Sequence, residues 1–379
     1  MKKLAIIGAS YLQEPLIEKA KKMGIETHVF AWKCGDVGER TADFFYPISI
    51  IEKEKILDKC RQIGINGICS IASDLATVAV NYVANAMGLT GNSEECVRLS
   101  TNKYNMRKAF EKNGDPSPRS IMVSSIEDLQ NIELEYPVIV KPVDRSGSRG
   151  ITKLESYNGL NEAIENAKEQ GFQKYALVEE YVRGQEYSVE YISYKGRHFF
   201  LALTKKYTTG SPHFIETAHI EPAPVSEEQL IKIKKIVSHA LDSLKVENGA
   251  SHSELKIDEK GNINLIEIGA RMGGDFIGSH LVKISSGVDF VEAVIRIALG
   301  EKPNLSNSNK KSAAAVRFVF SEEDVKVLAK IEEEHPEIII FSDYRIADGR
   351  KVVDSSTRFG MYLLQSDNIE NIEKYMPQN

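Results

Sequence analysis

Apolar residues along this chain fall in short runs punctuated by glycine and proline, and each run predicts an element. Leu4–Ile7 reads as a buried strand that stops at Gly8-Ala9-Ser10. Helical spacing follows through Leu16, Ile17 and Ala20, closed by Gly24, and a second strand lies near Glu26–Ala31. A strand, a glycine turn, a helix and another strand open a doubly wound sheet. Ile65–Ile71 predicts a further buried strand, ending at Ala72-Ser73-Asp74 ahead of a helix over Leu75–Met87. Asp74 lies where ligands bind in such sheets, at a strand's carboxyl end, and equally suits a helix N-cap. Asn102–Asn113 is helical in pattern and is broken by Asp115-Pro116-Ser117-Pro118. Pro137–Lys141, Tyr175–Val182 and Glu186–Ser193 read as strands, and Leu160–Gln170, Gln229–Leu244 and Asp289–Leu299 as helices. Asn304–Ser312 is polar, a linker or exposed loop, and Ala313–Phe320 resumes as a strand of a small α/β remainder.

The sharpest alternation lies in Ser253-Glu254-Leu255-Lys256-Ile257 and Ile263-Asn264-Leu265-Ile266-Glu267-Ile268, joined by the turn formers Asp258-Glu259-Lys260-Gly261-Asn262. Two paired antiparallel strands are expected, and side chains alternate faces along each, so Glu254 and Glu267 can share one face. Carboxylates held that close repel unless a cation lies between them, and Mg2+ is commonly held by one or two carboxylates plus substrate phosphates. Either glutamate alone would read as a solvated strand residue. Ile268-Gly269-Ala270-Arg271-Met272-Gly273-Gly274 then adds a cation and a glycine pair, as an anionic-substrate site needs.

Other stretches carry chemistry. Lys141 ends an apolar strand, where a lysine is rarely buried without a carboxylate or an anionic ligand. Asp144-Arg145-Ser146-Gly147-Ser148-Arg149-Gly150 is built of small residues whose backbone N–H groups can approach phosphate closely; it also reads as an ordinary hairpin loop. It lacks the Lys-Ser/Thr ending of a Walker motif, and Gly8–Gln13 lacks the GxGxxG of a dinucleotide site, so neither a P-loop nor a nicotinamide cofactor is expected. Glu179 and Glu180 are adjacent on an otherwise apolar strand. Leu203–His219 is rich in polar groups, among them Lys206, Glu216 and His219, the last reading first as an ordinary strand histidine.

In this order the residues resemble the ATP-grasp superfamily of carboxylate–amine and carboxylate–thiol ligases, from Met1 to about Gly300. The chain looks most like the L-amino acid ligase and carbamoyl-phosphate-synthase-like branch. The resemblance implies an ATP-grasp fold of mixed α/β and α+β class. Its parts would be a doubly wound N-terminal domain (1–95), a two-lobed nucleotide-binding module (96–303) and a small C-terminal α/β region (304–379). It also implies roles. Lys141 would contact the α-phosphate, Lys103 would be the second nucleotide lysine, and the loop with Ser146, Gly147, Ser148 and Gly150 would cover the phosphates. Glu180 C=O and Val182 N–H would meet adenine, reinforced by the Glu179 carboxylate, with Glu186 on the ribose. Lys206 would reach the transferred phosphoryl group and Arg271 the acyl phosphate. Glu216, His219, Asp74, Gly273 and Gly274 would lie toward the substrate. Glu254 and Glu267 would hold Mg2+, with Mn2+ as the alternative ion. One position departs: many such ligases carry a metal-binding asparagine where this chain has Gly269.

Composition narrows this further. At 379 residues the chain has room for two or three domains with ample core. A net charge of −6 with both signs interspersed leaves no nucleic-acid footprint. Cys34, Cys60, Cys69 and Cys96 are far apart, without C-x-x-C spacing, and read as reduced thiols of a cytoplasmic protein. No apolar run approaches a membrane span, and the N-terminal run is too short for a signal peptide. The expected reaction joins a small carboxylate, such as an amino acid, to an amine through an acyl phosphate, with ATP and Mg2+, in a monomer or homodimer. A bicarbonate-using carboxylase or carbamoyl-phosphate-synthase-like enzyme is the enzymatic alternative. A non-catalytic nucleotide-binding protein is the third.

Overall fold

The computed structural model describes residues 1–211, 214–306, 311–346 and 350–378. Pro212 and His213 of the polar stretch, and 307–310 of the expected linker, lie outside the described residues. The N-terminal sheet contains β1 (Lys3–Ile7), β2 (Glu26–Phe30), β3 (Phe44–Tyr46) and β4 (Gly67–Cys69). They run parallel in the order β3-β2-β1-β4. Fully buried Leu4, Ala5, Ile6 and Ile7 show why β1 has no polar face: helices cover both sides of the sheet.

A second four-stranded sheet is antiparallel, β5 (Ser120–Val123), β6 (Val138–Pro142), β7 (Thr152–Leu154) and β8 (Ala176–Glu180), in the order β5-β8-β6-β7. The helix Leu160–Gln170 lays Leu160, Ala163, Ile164 and Ala167 on it, giving this lobe a core of its own.

The central sheet has eight strands. They are β9 (Gln185–Tyr194), β10 (Arg197–Thr208), β11 (Glu216–Glu221), β12 (Gly249–Ile257), β13 (Ile263–Gly269), β14 (Ala313–Phe318), β15 (Ile339–Tyr344) and β16 (Gly360–Ser366). Their order is β13-β12-β9-β10-β11-β14-β16-β15, antiparallel throughout. The C-terminal region therefore extends the central sheet: β14 pairs with β11 from Ala218↔Arg317 to Glu221↔Ala314. On one face Tyr187, Val189, Tyr191, Leu203, Leu255 and Leu265 meet Ile233, Val237, Ala240 and Leu241 of the helix Glu227–Ser243. The helix Phe290–Ala298 packs between the N-terminal sheet and Ile192, Leu201 and Ala250 of the central one, tying the two together. No helix among the described residues is long and apolar enough to cross a membrane.

Candidate functional site

Period two explains the site. On β9 the residues between the apolar ones are Glu186, Ser188 and Glu190; on β12 they are His252, Glu254 and Lys256; β10 adds Thr204 and Lys206, and β11 adds His219 and Glu221. These make a polar belt on the face away from the Glu227–Ser243 helix. Glu254 pairs in register with Glu267 on β13 and with Ser188 on β9. Both glutamates are about a quarter exposed, at 24% and 25%.

A cleft of about 1090 Å³ lies between this belt and the smaller antiparallel sheet. Lys103, Lys141, Ser146, Gly147, Ser148, Glu179, Glu180, Val182, Glu186, Glu216, Glu254, Glu267 and Arg271 line it. In the loop, Gly147, Ser148 and Gly150 all adopt left-handed backbone, with φ of 73°, 57° and 67°, so the glycines permit the turn. Lys141 is buried against Glu179, which also takes Arg107 Nε (3.1 Å) and Nη2 (3.3 Å). Burial alone would raise the Glu179 carboxyl, but the charges of Arg107 and Lys141 outweigh it and hold the group below its usual value. Burial and the repulsion of Arg107 and Lys103 lower Lys141 despite Glu179. Glu179 thus lines the cleft with its carboxylate already engaged by two cations. Arg107, which the sequence reading omitted, has no motif to mark it: it is one helical turn beyond Lys103. Lys103, whose local sequence carries no sign of burial, is 6% exposed, bonding Glu267 Oε1 (2.6 Å) and Arg145 C=O (2.7 Å).

At the other end Lys206 meets Glu254 (2.5 Å), Glu186 (3.0 Å) and Glu216 (3.8 Å). Burial opposes its charge, yet the three carboxylates raise it well above an ordinary lysine. His252, also omitted, bonds buried Glu190 and lies 3.4 Å from Glu254 Oε1. Burial disfavours its cation, but Glu190 and Glu254 lift it to about 9. The His-x-Glu alternation on β12 was the signal that could have found it. Gly273 lies behind the cleft: its N–H donates to Glu190 Oε2 (3.0 Å), and a Cβ there would come 2.8 Å from both Glu190 and His252.

A second cleft, about 1410 Å³, shares Ser146, Gly147, Arg149, Glu216, His252, Glu254 and Arg271 with the first. Asp74, Lys206, His219 and Gly274 also line it. The N-cap of the helix Asp74–Met87 is Ser73, which leaves Asp74 free to take both Nε (2.8 Å) and Nη2 (3.0 Å) of Arg271. This fork joins the start of the helix Asp74–Met87 to the segment after β13. It also accounts for Gly269, since a Cβ there would stand 2.6 Å from Asp74 Oδ1. Asp275 pairs instead with Arg358, through Nη2 (2.6 Å) and Nη1 (3.0 Å), and Arg358 stacks 3.6 Å from the Phe318 ring centroid. His219 is 1% exposed, with Nε2 3.6 Å from Asp275. Burial lowers its pKa, and among the described residues its Nδ1 has no hydrogen-bond partner. Arg358 and Ser355, which bonds Glu216 Oε2 (2.8 Å), come from the C-terminal region. No local pattern in the sequence signals either.

Residues 134–279 match the family model described as the ATP-grasp domain. The chain carries an ATP-grasp domain. Alanine–anticapsin ligase of Bacillus subtilis is 26% identical over 300 residues, covering 70% of this chain and 63% of that enzyme. The chain thus spans less than two thirds of that relative's length. The L-amino acid ligase structure from Bacillus licheniformis superposes with a TM-score of 0.83 at 24% identity, covering 99% of this chain and 96% of that one. The biotin carboxylase domain dimer of the Hydrogenobacter thermophilus 2-oxoglutarate carboxylase, with MgADP, ADP and bicarbonate, superposes at 0.76 with 20% identity, over 97% and 86%. The likeness in fold to the L-amino acid ligase structure extends over all three sheets.

Proposed function

We propose that this chain is an ADP-forming carboxylate–amine ligase acting on amino acids or related small carboxylates in the cytoplasm. The observation that carries the reading is the meeting of the two clefts at Glu216, His252, Glu254 and Arg271, with Lys206 bonded to Glu254 from the second, under a loop whose Ser146, Gly147 and Arg149 wall both. A phosphoryl donor on one side and an acid on the other would meet there. A carboxylate oxygen attacks the γ-phosphorus, the bond to the β–γ bridging oxygen breaks, and ADP leaves. The amine nitrogen then attacks the acyl carbon, the carbon–oxygen bond breaks, phosphate leaves, and nitrogen loses a proton.

Lys141 and Lys103 hold the nucleotide's phosphates in this scheme, and Glu180, Val182 and Glu186 its nucleoside. Lys206 neutralises charge on the transferred group, and the Arg271 guanidinium meets the acyl phosphate with the N–H groups that Asp74 does not take. Asp74 aims that fork, and Glu216 and His219 face the acid or amine. Glu254 and Glu267 suit Mg2+, or Mn2+: they are a pair of hard oxygen donors on one face. Among the described residues no group of three or more metal-ligating side chains forms a closed cage, so phosphate and water would complete the shell. When bound, the ion would neutralise phosphate charge. A homodimer is compatible, as in the carboxylase domain neighbour.

A screen for ADP release over pairs of carboxylates and amines tests the proposal. Release that needs both partners supports it. Release with bicarbonate alone would indicate a carboxylase, and ATP binding with no release under any pair would leave a nucleotide-binding protein.

A further inference from the structure

A third space of about 1190 Å³ opens beside the substrate cleft, and Tyr11 and Arg358 wall both. It lies between the N-terminal helix Glu14–Lys22 and the C-terminal strands β15 and β16. Its lining is aromatic. Phe276 sits 6.2 Å from Tyr11 and 5.6 Å from Phe341, centroid to centroid, and Tyr344 stands at the edge, 39% exposed.

The backbone joins the two spaces. Asp275 and Phe276 are consecutive non-glycine residues with φ of 51° and 65°, a conformation side-chain-bearing residues seldom adopt even singly. The result is that Asp275 lines the substrate cleft while the next residue lines the chamber. Strain of this kind persists where surrounding structure holds it, here the two-pronged Arg358 bond to Asp275.

Charge decides the kind of occupant. The chamber walls carry the carboxylates Glu14, Glu18 and Asp343 against Arg345 and Arg358; Glu18 is paired with Lys22 and Arg358 with Asp275, which leaves Glu14 and Asp343 against Arg345. Asp275 and Glu216 line the adjoining cleft, paired there with Arg358 and Lys206. A cation that can shed its proton on reaching the acyl centre suits this path, and a second carboxylate does not.

We propose that the chamber holds the side chain of the amine substrate, and that this substrate is a primary amine bearing an aromatic or similarly large apolar group. The proposal rests on the ligase reading for the word substrate, but the binding site stands without it.

Titration calorimetry on the full chain with MgADP, using L-phenylalaninamide, glycinamide and 3-phenylpropionate, tests the site apart from turnover. Phenylalaninamide is expected to bind roughly ten- to a hundred-fold tighter than glycinamide, as burial of a phenyl ring allows. It should also bind more tightly than the anionic 3-phenylpropionate. Phe276→Ala, and the surface change Tyr344→Ala in case the first variant folds poorly, should erase most of that preference and leave glycinamide and MgADP binding as they were. Equal binding of the two amides, tighter binding of the carboxylate, or a preference untouched in a folded variant would overturn the proposal. Selective amide binding without ADP release under any pair would keep the chamber and sink the ligase. Ligation of small amines with no aromatic preference would do the reverse.

Discussion

At the scale of single residues, the departure at Gly269 becomes intelligible through Asp74. Gly269→Ala places a methyl 2.6 Å from Asp74 Oδ1, so the carboxylate must leave Arg271. A fork misplaced by about an ångström costs on the order of a hundred-fold in turnover, while the thermal shift caused by ATP should hold. Adding Asp74→Ala should cost little more than Asp74→Ala alone, because the clash and the lost pair are one event. Additive losses in steady-state kinetics would refute the link. Arg271→Lys, losing the fork, should likewise turn over poorly, with a lower melting temperature since the pair ties the helix Asp74–Met87 to the segment after β13. Glu221 offers a pH test. Burial raises its carboxyl to about 8, in spite of the Thr204 (2.6 Å) and Ser285 (2.7 Å) hydroxyls that donate to it. Its folded pKa exceeds the unfolded one, so its stabilising contribution is full in acid and is lost as pH rises through about 8. Glu221→Gln should flatten stability against pH between those limits in urea titrations. A slope equal to the parent's would show the group is ionised as folded.

Elements show what the sequence could and could not tell. The β12–β13 hairpin was legible because alternation and turn residues are local, and the Glu254↔Glu267 register follows from them. Helices such as Leu160–Gln170 were legible for the same reason. Lys103 was not: its burial depends on Glu267, 164 positions away. Nor were Arg358 and Asp275, whose pairing spans 83 positions and two regions without a motif. The joining of β14 to β11 is a long-range choice of partner that local pattern does not encode. The turn from β8 into β9 makes a sharper test. Gly184 has φ of 118°, and a Cβ there would meet Ile257 O at 2.2 Å. Gly184→Ala should therefore lower stability by roughly 1–3 kcal/mol or more in chemical denaturation. It should also weaken ATP binding, because the lined segment Tyr181–Val182 lies just before it.

For the whole molecule, the continuous central sheet means the C-terminal region cannot be removed without exposing β11. A chain ending at 303 is expected to aggregate or lose cooperative melting, by circular dichroism and size exclusion, since Ala218, Ile220 and Tyr207 share a core with Tyr362 and Leu364. The full chain should gain stability from MgATP, about 2.7 kcal/mol at a hundred times the dissociation constant, read as a thermal shift. The lysines make that gain conditional. Lys103 lies on Glu267, and Lys206 on Glu254, so each acid of the pair already has a tenant. A divalent ion held by that pair, as proposed, would compete with both amines: Lys206 keeps Glu186 and Glu216, whereas Lys103 is left with the Arg145 carbonyl, and a triphosphate would supply its anion. Ion and nucleotide are therefore expected to act as each other's effector. By reciprocity, chelating the metal should weaken ATP by the same factor that withdrawing ATP weakens the metal, about 5- to 150-fold for couplings of ordinary size.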